Sequence, residues 1–320
     1  MTSRTPRPGP VHLIVTCANR KRHDIPAGLR LDDVRDQRPG QRFAVWTRRL
    51  MDAPPVAAAT DMNAGEHWCQ AQTLPGIVGP HATLWIASAG YGLIPATATI
   101  RPYAATFAPN TPDSVGATAA TVQDWWHRHT QWAGPTAGQP RSYVDLVRRD
   151  PTATIIAVLS EAYLRACASD LQAAAGHLSD DNRFSVIGPP TADRSLDHLL
   201  VPVTAKLRPV VGGSLQALNV LAAAHLLTTI GTAGELPARS TLRKLAEQAT
   251  RTAPPDPSRR PAGTKLSDEE VRVFVHAQLT RGQTTATSAL RALRGTGRSC
   301  EQARFRNLFN EVRTTWTGGQ

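Results

Sequence analysis

Four short apolar runs punctuate the chain: Val11–Thr16 (VHLIVT), Ala82–Ala87 (ATLWIA), Thr154–Leu159 (TIIAVL) and Arg183–Ile187 (RFSVI). Each is short, rich in β-formers and bounded by polar or Gly/Pro residues, which predicts a buried strand. Longer segments between and after them predict helices: Gln41–Met51, Ala120–Trp132, Ser142–Arg149, Glu161–His177 behind a Ser160 N-cap, Ser214–Thr229 and Thr241–Thr250. Strands alternating with helices imply a layered α/β core. The pattern stops at Thr252–Gly263 (TAPPDPSRRPAG), whose four prolines and lack of apolar periodicity read as a linker. Beyond it, Ser267 and Glu270 form a capping-box pair opening a helix over 268–280. Thr287–Leu293 and Cys300–Arg313 follow, separated by Gly295-Thr-Gly297, with Phe305, Leu308, Phe309 and Val312 on one face of the last helix. Three short helices with a glycine-containing turn before the last resemble a helix-turn-helix. The expected organisation is a loose tail over 1–10, an α/β core over 11–250, a linker over 251–264 and a small all-α domain over 265–320.

Charge sharpens this division. The 320 residues hold 36 Lys+Arg against 25 Asp+Glu, a net of +11. Residues 239–320 carry 15 basic and 7 acidic residues, a net of +8, so a quarter of the chain holds most of the excess. An appended nucleic-acid-binding element has this distribution. Arg291, Arg294, Arg298, Arg304 and Arg306 are interleaved with apolar residues there, as phosphate and groove contacts require, although a solvated basic face would look the same. Of the basic residues 32 are Arg. That matches both a GC-rich coding bias and the bidentate contacts Arg makes with phosphates and bases.

Other classes find no support. Cys17, Cys69, Cys167 and Cys300 are far apart and fit no CxxC or zinc spacing, so buried or idle thiols in a reducing compartment are expected. His67-Trp-Cys69 and His127-Arg-His129 are too isolated to predict a metal site. No cofactor is implied. The first ten residues lack the apolar segment of a signal peptide, and no run of 18 apolar residues exists. A cytoplasmic protein without a membrane partner is the expectation.

The segment Ser88–Tyr103 carries the most chemistry. Gly90 and Gly92 flank Tyr91 at the end of a predicted strand, where a ligand can approach the backbone and a ring can stack. A tight turn with a structural tyrosine fits the same spacing. Ser88-Ala-Gly-Tyr-Gly-Leu-Ile94 followed by Ile100-Arg-Pro-Tyr103 resembles the YaaA-type signature S-x-x-Y-G-L-x, spacer, I-x-P-Y. The first strand leading to Cys17, Arg20 and Lys21 resembles the opening of smaller relatives in that family, and Val211-Gly212-Gly213 resembles a late glycine motif. The likeness covers roughly residues 11–230. After Tyr103 the chain departs from it, with Ala-Ala-Thr-Phe in place of an R-L-E-M-like run.

The resemblance implies a core like that of uracil-DNA glycosylase, as also found in archaeosine synthase, and a family that includes a DNA-binding peroxide-stress protein. It implies a nucleobase pocket. Enzymes acting on bases in duplex DNA flip the base out and hold it by stacking and edge hydrogen bonds. Ser88, Gly90, Tyr91, Gly92, Tyr103 and Asn219 are the expected base contacts, with Arg20 and Lys21 on flanking phosphates. Base excision also needs a carboxylate, for which Asp24, Asp113 and Glu161 are the candidates. The expected function is a DNA N-glycosylase for a modified base, in defence against phages with modified genomes. A non-catalytic DNA-binding protein and a tRNA or deazaguanine base-modifying enzyme remain alternatives.

Overall fold

A computed structural model describes residues 9–233, 237–255, 263–282 and 285–316. The chain divides into two compact units between Pro255 and Asp256. Most of the expected tail and linker lies outside the described residues.

The first unit is built on one six-stranded sheet. In chain order its strands are β1 (Val11–Thr16), β2 (Ala82–Ser88), β3 (Gly92–Pro95), β4 (Thr154–Val158), β5 (Phe184–Gly188) and β6 (Leu200–Pro202). Their spatial order is β3-β2-β1-β4-β5-β6. All neighbours are parallel except the β2–β3 hairpin. Val11 pairs with Ala82 on one side of β1 and with Thr154 on the other. Parallel strands covered on both faces are apolar throughout; β1, β4 and β5 are accordingly buried at every position. The buried imidazole of β1 is satisfied: His12 Nε2 bonds Asp150 Oδ2 at 2.8 Å, and its Nδ1 accepts from Trp85 Nε1 at 3.1 Å.

The α-helices of five residues or more are α1 (Pro39–Asp52), α2 (Glu66–Ala71), α3 (Leu74–Val78), α4 (Ala119–Gln131), α5 (Tyr143–Arg149), α6 (Glu161–Ala175), α7 (Leu218–Ala233) and α8 (Arg239–Thr252). α4 and α5 pack on α6, while α2 and α3 pack on α7. The four predicted strands form within a residue or two. β3 and β6, of four and three residues, escape sequence-based prediction, since so short a run has no readable period.

The strand order places a topological switch at β1. From β1 the chain crosses to β2 on one side and later returns to β4 on the other. Loops leaving the carboxyl ends of β1 and β4 therefore diverge, and such a crevice is where open α/β sheets take ligands.

The second unit holds α9 (Asp268–Thr280), α10 (Ala286–Gly295) and α11 (Gln302–Thr315), with a short parallel pairing of Thr264–Lys265 against Arg298–Ser299. The Ser267–Glu270 capping box opens α9. Val271, Val275, Leu290, Leu293, Phe305 and Phe309 centre a separate small core.

Candidate functional site

The switch-point crevice is a real cavity. It has a volume of about 650 Å³ and is lined by Thr16–Arg20, Ala64–His67, Thr106, Ala108, Val158–Ser160, Ala162, Tyr163 and, from the start of α7 and the loop before it, Ser214, Gln216 and Asn219. The carboxyl ends of β1 and β4 form its floor.

The floor is organised by hydrogen bonds. Cys17 Sγ lies 3.1 Å from the Tyr163 hydroxyl, which also accepts from Ala89 N–H at 3.2 Å. Lys21 folds back into the protein. Its ammonium donates to the Ala18 carbonyl and, at 2.8 Å, to Asn63 Oδ1, and sits 4.5 Å from the Tyr103 ring centroid. Burial raises the Cys17 thiol, but the Lys21 charge, the Tyr103 and Tyr163 hydroxyls and Ala89 N–H outweigh it and hold the thiol below its ordinary range. Burial, reinforced by the neighbouring Cys17 charge, holds both phenols well above theirs.

The walls supply acid–base and polar groups. Glu66, the first residue of α2, accepts from Ser214 N–H through Oε2 at 3.2 Å. His67 Nε2 lies 3.1 Å from the Thr16 carbonyl, and burial lowers its pKa, partly offset by that contact. Asn219 donates its amide to the Leu159 carbonyl at 2.9 Å. Asn19, Arg20 and Gln216 are exposed at the cavity, and Arg20 makes no ion pair among the described residues.

These positions correct several expectations. Ser88, Tyr91 and Tyr103 are 0%, 0% and 1% exposed and do not line the cavity, so neither ring is available to stack on a base. Tyr91 accepts the Arg101 N–H at 3.1 Å, and burial pushes its phenol up to about 12. Tyr103 hydrogen-bonds Ser88 Oγ at 2.6 Å, and that oxygen accepts from Gly90 and Tyr91 N–H. The glycines serve packing. Residues 89–91 form a three-residue hairpin turn, closed by Gly92 at φ +70°, and a Cβ on Gly92 would meet His129 at 2.7 Å. A Cβ on Gly90 would lie 2.5 Å from the Tyr103 ring. The motif is a buried brace behind Cys17, and of the expected base contacts only Asn219 lines the cavity.

The expected carboxylates also lie elsewhere. Asp24 is exposed and outside the lining. Asp113 accepts from Asp32 N–H and pairs with Arg30, a structural role fixed by its loop. Glu161 is exposed at the first turn of α6, where its neighbours Ser160 and Ala162 reach the cavity and it does not line it. Of the expected phosphate contacts Arg20 stands at the cavity, whereas Lys21 is partly buried and committed to Ala18 and Asn63. Glu66, His67, Asn63 and Tyr163 are additions that the sequence pattern does not single out. The one local hint is Gly65, at φ +98°, ahead of two acid–base residues.

In the second unit, Arg291, Arg294 and Arg306 line one groove of about 380 Å³ between α10 and α11, together with Gln302 and Phe305. Arg298 is exposed on the short strand. Arg304 is not free for a ligand, because it pairs with Asp268 and donates to the Leu266 carbonyl at 3.1 Å. Among the described residues no three His, Cys, Asp or Glu gather as a metal would need, and no helix is long and apolar enough to cross a membrane. No protein-family model, no curated protein and no solved structure matches the chain.

Proposed function

We propose that the chain is a DNA-binding N-glycosylase that excises a modified base, with the switch-point cavity as the base pocket and Glu66 as its carboxylate. One observation carries this: a polar, base-sized cavity at the place where the sheet topology expects a ligand, holding a carboxylate among amide side chains. Loss of a base leaves positive charge on the sugar. A carboxylate at Glu66 stabilises that charge as it develops or activates the attacking water. The C1′–N bond breaks, the water oxygen bonds C1′, and the departing base takes up a proton. Asn219, Gln216 and Asn19 supply donors and acceptors for the base edge, and Arg20 a charge for a flanking phosphate. The arginine-lined groove of the second unit supports the reading of that unit as a helix-turn-helix-like DNA contact.

The uracil-DNA glycosylase-like fold, the YaaA-type kinship and a setting in phage defence rest on the family resemblance over roughly residues 11–230, which is specific around Ser88–Tyr103. The test is incubation of the full chain with base-modified and unmodified DNA, followed by alkaline cleavage. The expectation is strand breaks at the modified positions, lost in Glu66→Gln. DNA binding without breaks on any substrate favours the non-catalytic alternative, and preference for tRNA favours base modification.

A further inference from the structure

Two backbone carbonyls at the cavity floor dictate which side-chain atoms a ligand meets. Val15 is in register with Val158, so the carbonyls of Thr16 and Leu159 stand at the ends of neighbouring strands. A carbonyl oxygen can only accept a hydrogen bond. His67 Nε2, 3.1 Å from the Thr16 carbonyl, therefore carries the ring proton, and Nδ1 is left as a lone pair. Burial lowers the pKa of this imidazole and so favours the neutral form. Asn219 is oriented in the same way: its amide nitrogen donates to the Leu159 carbonyl at 2.9 Å, which turns Oδ1 elsewhere. Neither His67 Nδ1 nor Asn219 Oδ1 has a partner among the described residues or is sealed from solvent, and both side chains line the cavity.

Glu66 adds a third acceptor. Its Oε2 takes the Ser214 N–H at 3.2 Å, and a Cβ on Gly213 would lie 2.5 Å from its Oε1, so the carboxylate sits hard against this backbone. Every cavity side chain whose amide, ring or carboxylate is held by the backbone thus offers the ligand an acceptor. Asn19, Arg20 and Gln216 are exposed, make no side-chain hydrogen bond among the described residues, and can adapt to either kind of edge. At the same wall α6 begins beside Ser160 and Ala162, and its first-turn N–H groups, unused within the helix, suit a ring nitrogen or carbonyl.

We propose that the cavity selects a base carrying an exocyclic amino group, whose two N–H bonds are donated to His67 Nδ1 and Asn219 Oδ1. Neighbouring strands lie about 4.8 Å apart, so side chains anchored at their ends can reach one amino group. The inference rests on the reading of this cavity as a base pocket and names the class it takes: cytosine- or adenine-type bases, not uracil- or thymine-type ones. A carbonyl at the amino position turns a lone pair on these acceptors and leaves them unpaired, which weakens binding by about fivefold or more.

Two matched pairs of probes test it: 1-methylcytosine against 1-methyluracil, and 9-methyladenine against 9-methylhypoxanthine. Each pair differs only at the amino position and its neighbouring ring nitrogen, and the methyl group blocks the nitrogen that bears the sugar in DNA. Binding to the full chain is measured by ligand-observed NMR at neutral pH and millimolar probe. The amino member of at least one pair is expected to bind about fivefold or more tightly. His67→Phe, which has no ring acceptor, should bring that ratio close to one. His67→Gln, whose amide can donate to Thr16 and keep an oxygen for the ligand, should retain most of it. A general loss of folding lowers both members alike and leaves the ratio; if His67→Phe does not fold, the wild-type ratio alone decides. Equal binding within both pairs, preference for the carbonyl member, binding of none of the probes, or an undiminished ratio in His67→Phe overturns the proposal. Excision is read separately as alkali-labile sites. Selective binding without strand breaks keeps the amino-selective pocket and removes the glycosylase, and breaks without selectivity do the reverse.

Discussion

His129 should make the first unit acid-labile. It is fully buried, packed edge-on against Phe43 and Trp125 with ring centroids at 4.9 and 5.8 Å. Its Nε2 lies 3.1 Å from the Ala89 carbonyl and so carries the proton, while Nδ1 has no partner. Burial, and then the nearby Arg141 charge, push its pKa down to about 3. The unfolded chain binds a proton at about pH 6.5 and the folded chain does not, so stability is full above that pH and falls as pH drops toward 3. The loss approaches about 1.4 kcal/mol per pH unit and amounts to about 2 kcal/mol at pH 5 relative to pH 8. The perturbation is His129→Gln, which keeps a donor near Nε2 and removes the titration. Urea unfolding at about pH 8, 6.5 and 5, followed by tryptophan fluorescence, gives the stability of each form. His12 and His67 are also held neutral by burial, but both remain in the variant and cancel in the comparison. The expected result is that wild type loses about 2 kcal/mol more than His129→Gln between pH 8 and 5. Parallel losses in the two proteins would refute the reasoning.

Other outcomes follow from the same structure. Tyr103→Phe removes the hydroxyl bonded to Ser88 and should cost about 1 kcal/mol of stability; its DNA affinity, measured by fluorescence anisotropy, should stay as in wild type, because the ring is not a stacking surface. Replacing Arg291, Arg294 and Arg306 together by Ala should weaken duplex binding and flatten the log Kd versus log salt plot by roughly 0.9 for each phosphate no longer neutralised. Arg304→Ala should instead lower the melting temperature of the second unit while leaving the salt slope unchanged, since its partners are Asp268 and Leu266.

Most of the sheet is legible in the sequence and little of the site is, Arg20 and Asn219 apart, for one physical reason. A buried parallel strand writes itself as a continuous apolar run, so Val11–Thr16 and Thr154–Leu159 stand out, and their carboxyl ends become the cavity floor. The cavity walls come from five separated stretches near residues 16–20, 64–67, 106–108, 158–163 and 214–219, and nothing local announces that they meet. Glu66 and His67 sit on a six-residue helix too short to show a period. The Ser88–Tyr103 segment misleads in the opposite way. Its small residues and tyrosines fit a ligand contact in one dimension, but the glycines make room for Tyr103 and His129. Cys17, expected to be a buried or idle thiol, is buried beside Tyr163, whose hydroxyl accepts Ala89 N–H of that segment. In the second unit the five arginines look equivalent along the chain, and only the packing of α10 on α11 separates the three of the groove from Arg304.

Alkaline cleavage of base-modified duplex DNA after incubation with wild type and Glu66→Gln tests the central claim most directly. Glu66 accepts a single backbone N–H, so the Gln variant should fold with wild-type stability and bind DNA normally. Wild type is predicted to produce alkali-labile sites at the modified positions, and Glu66→Gln to form them at least about 100-fold more slowly, the scale of losing one group that stabilises transition-state charge. Equal rates in the two proteins, or no alkali-labile sites from wild type on any DNA, would contradict the account.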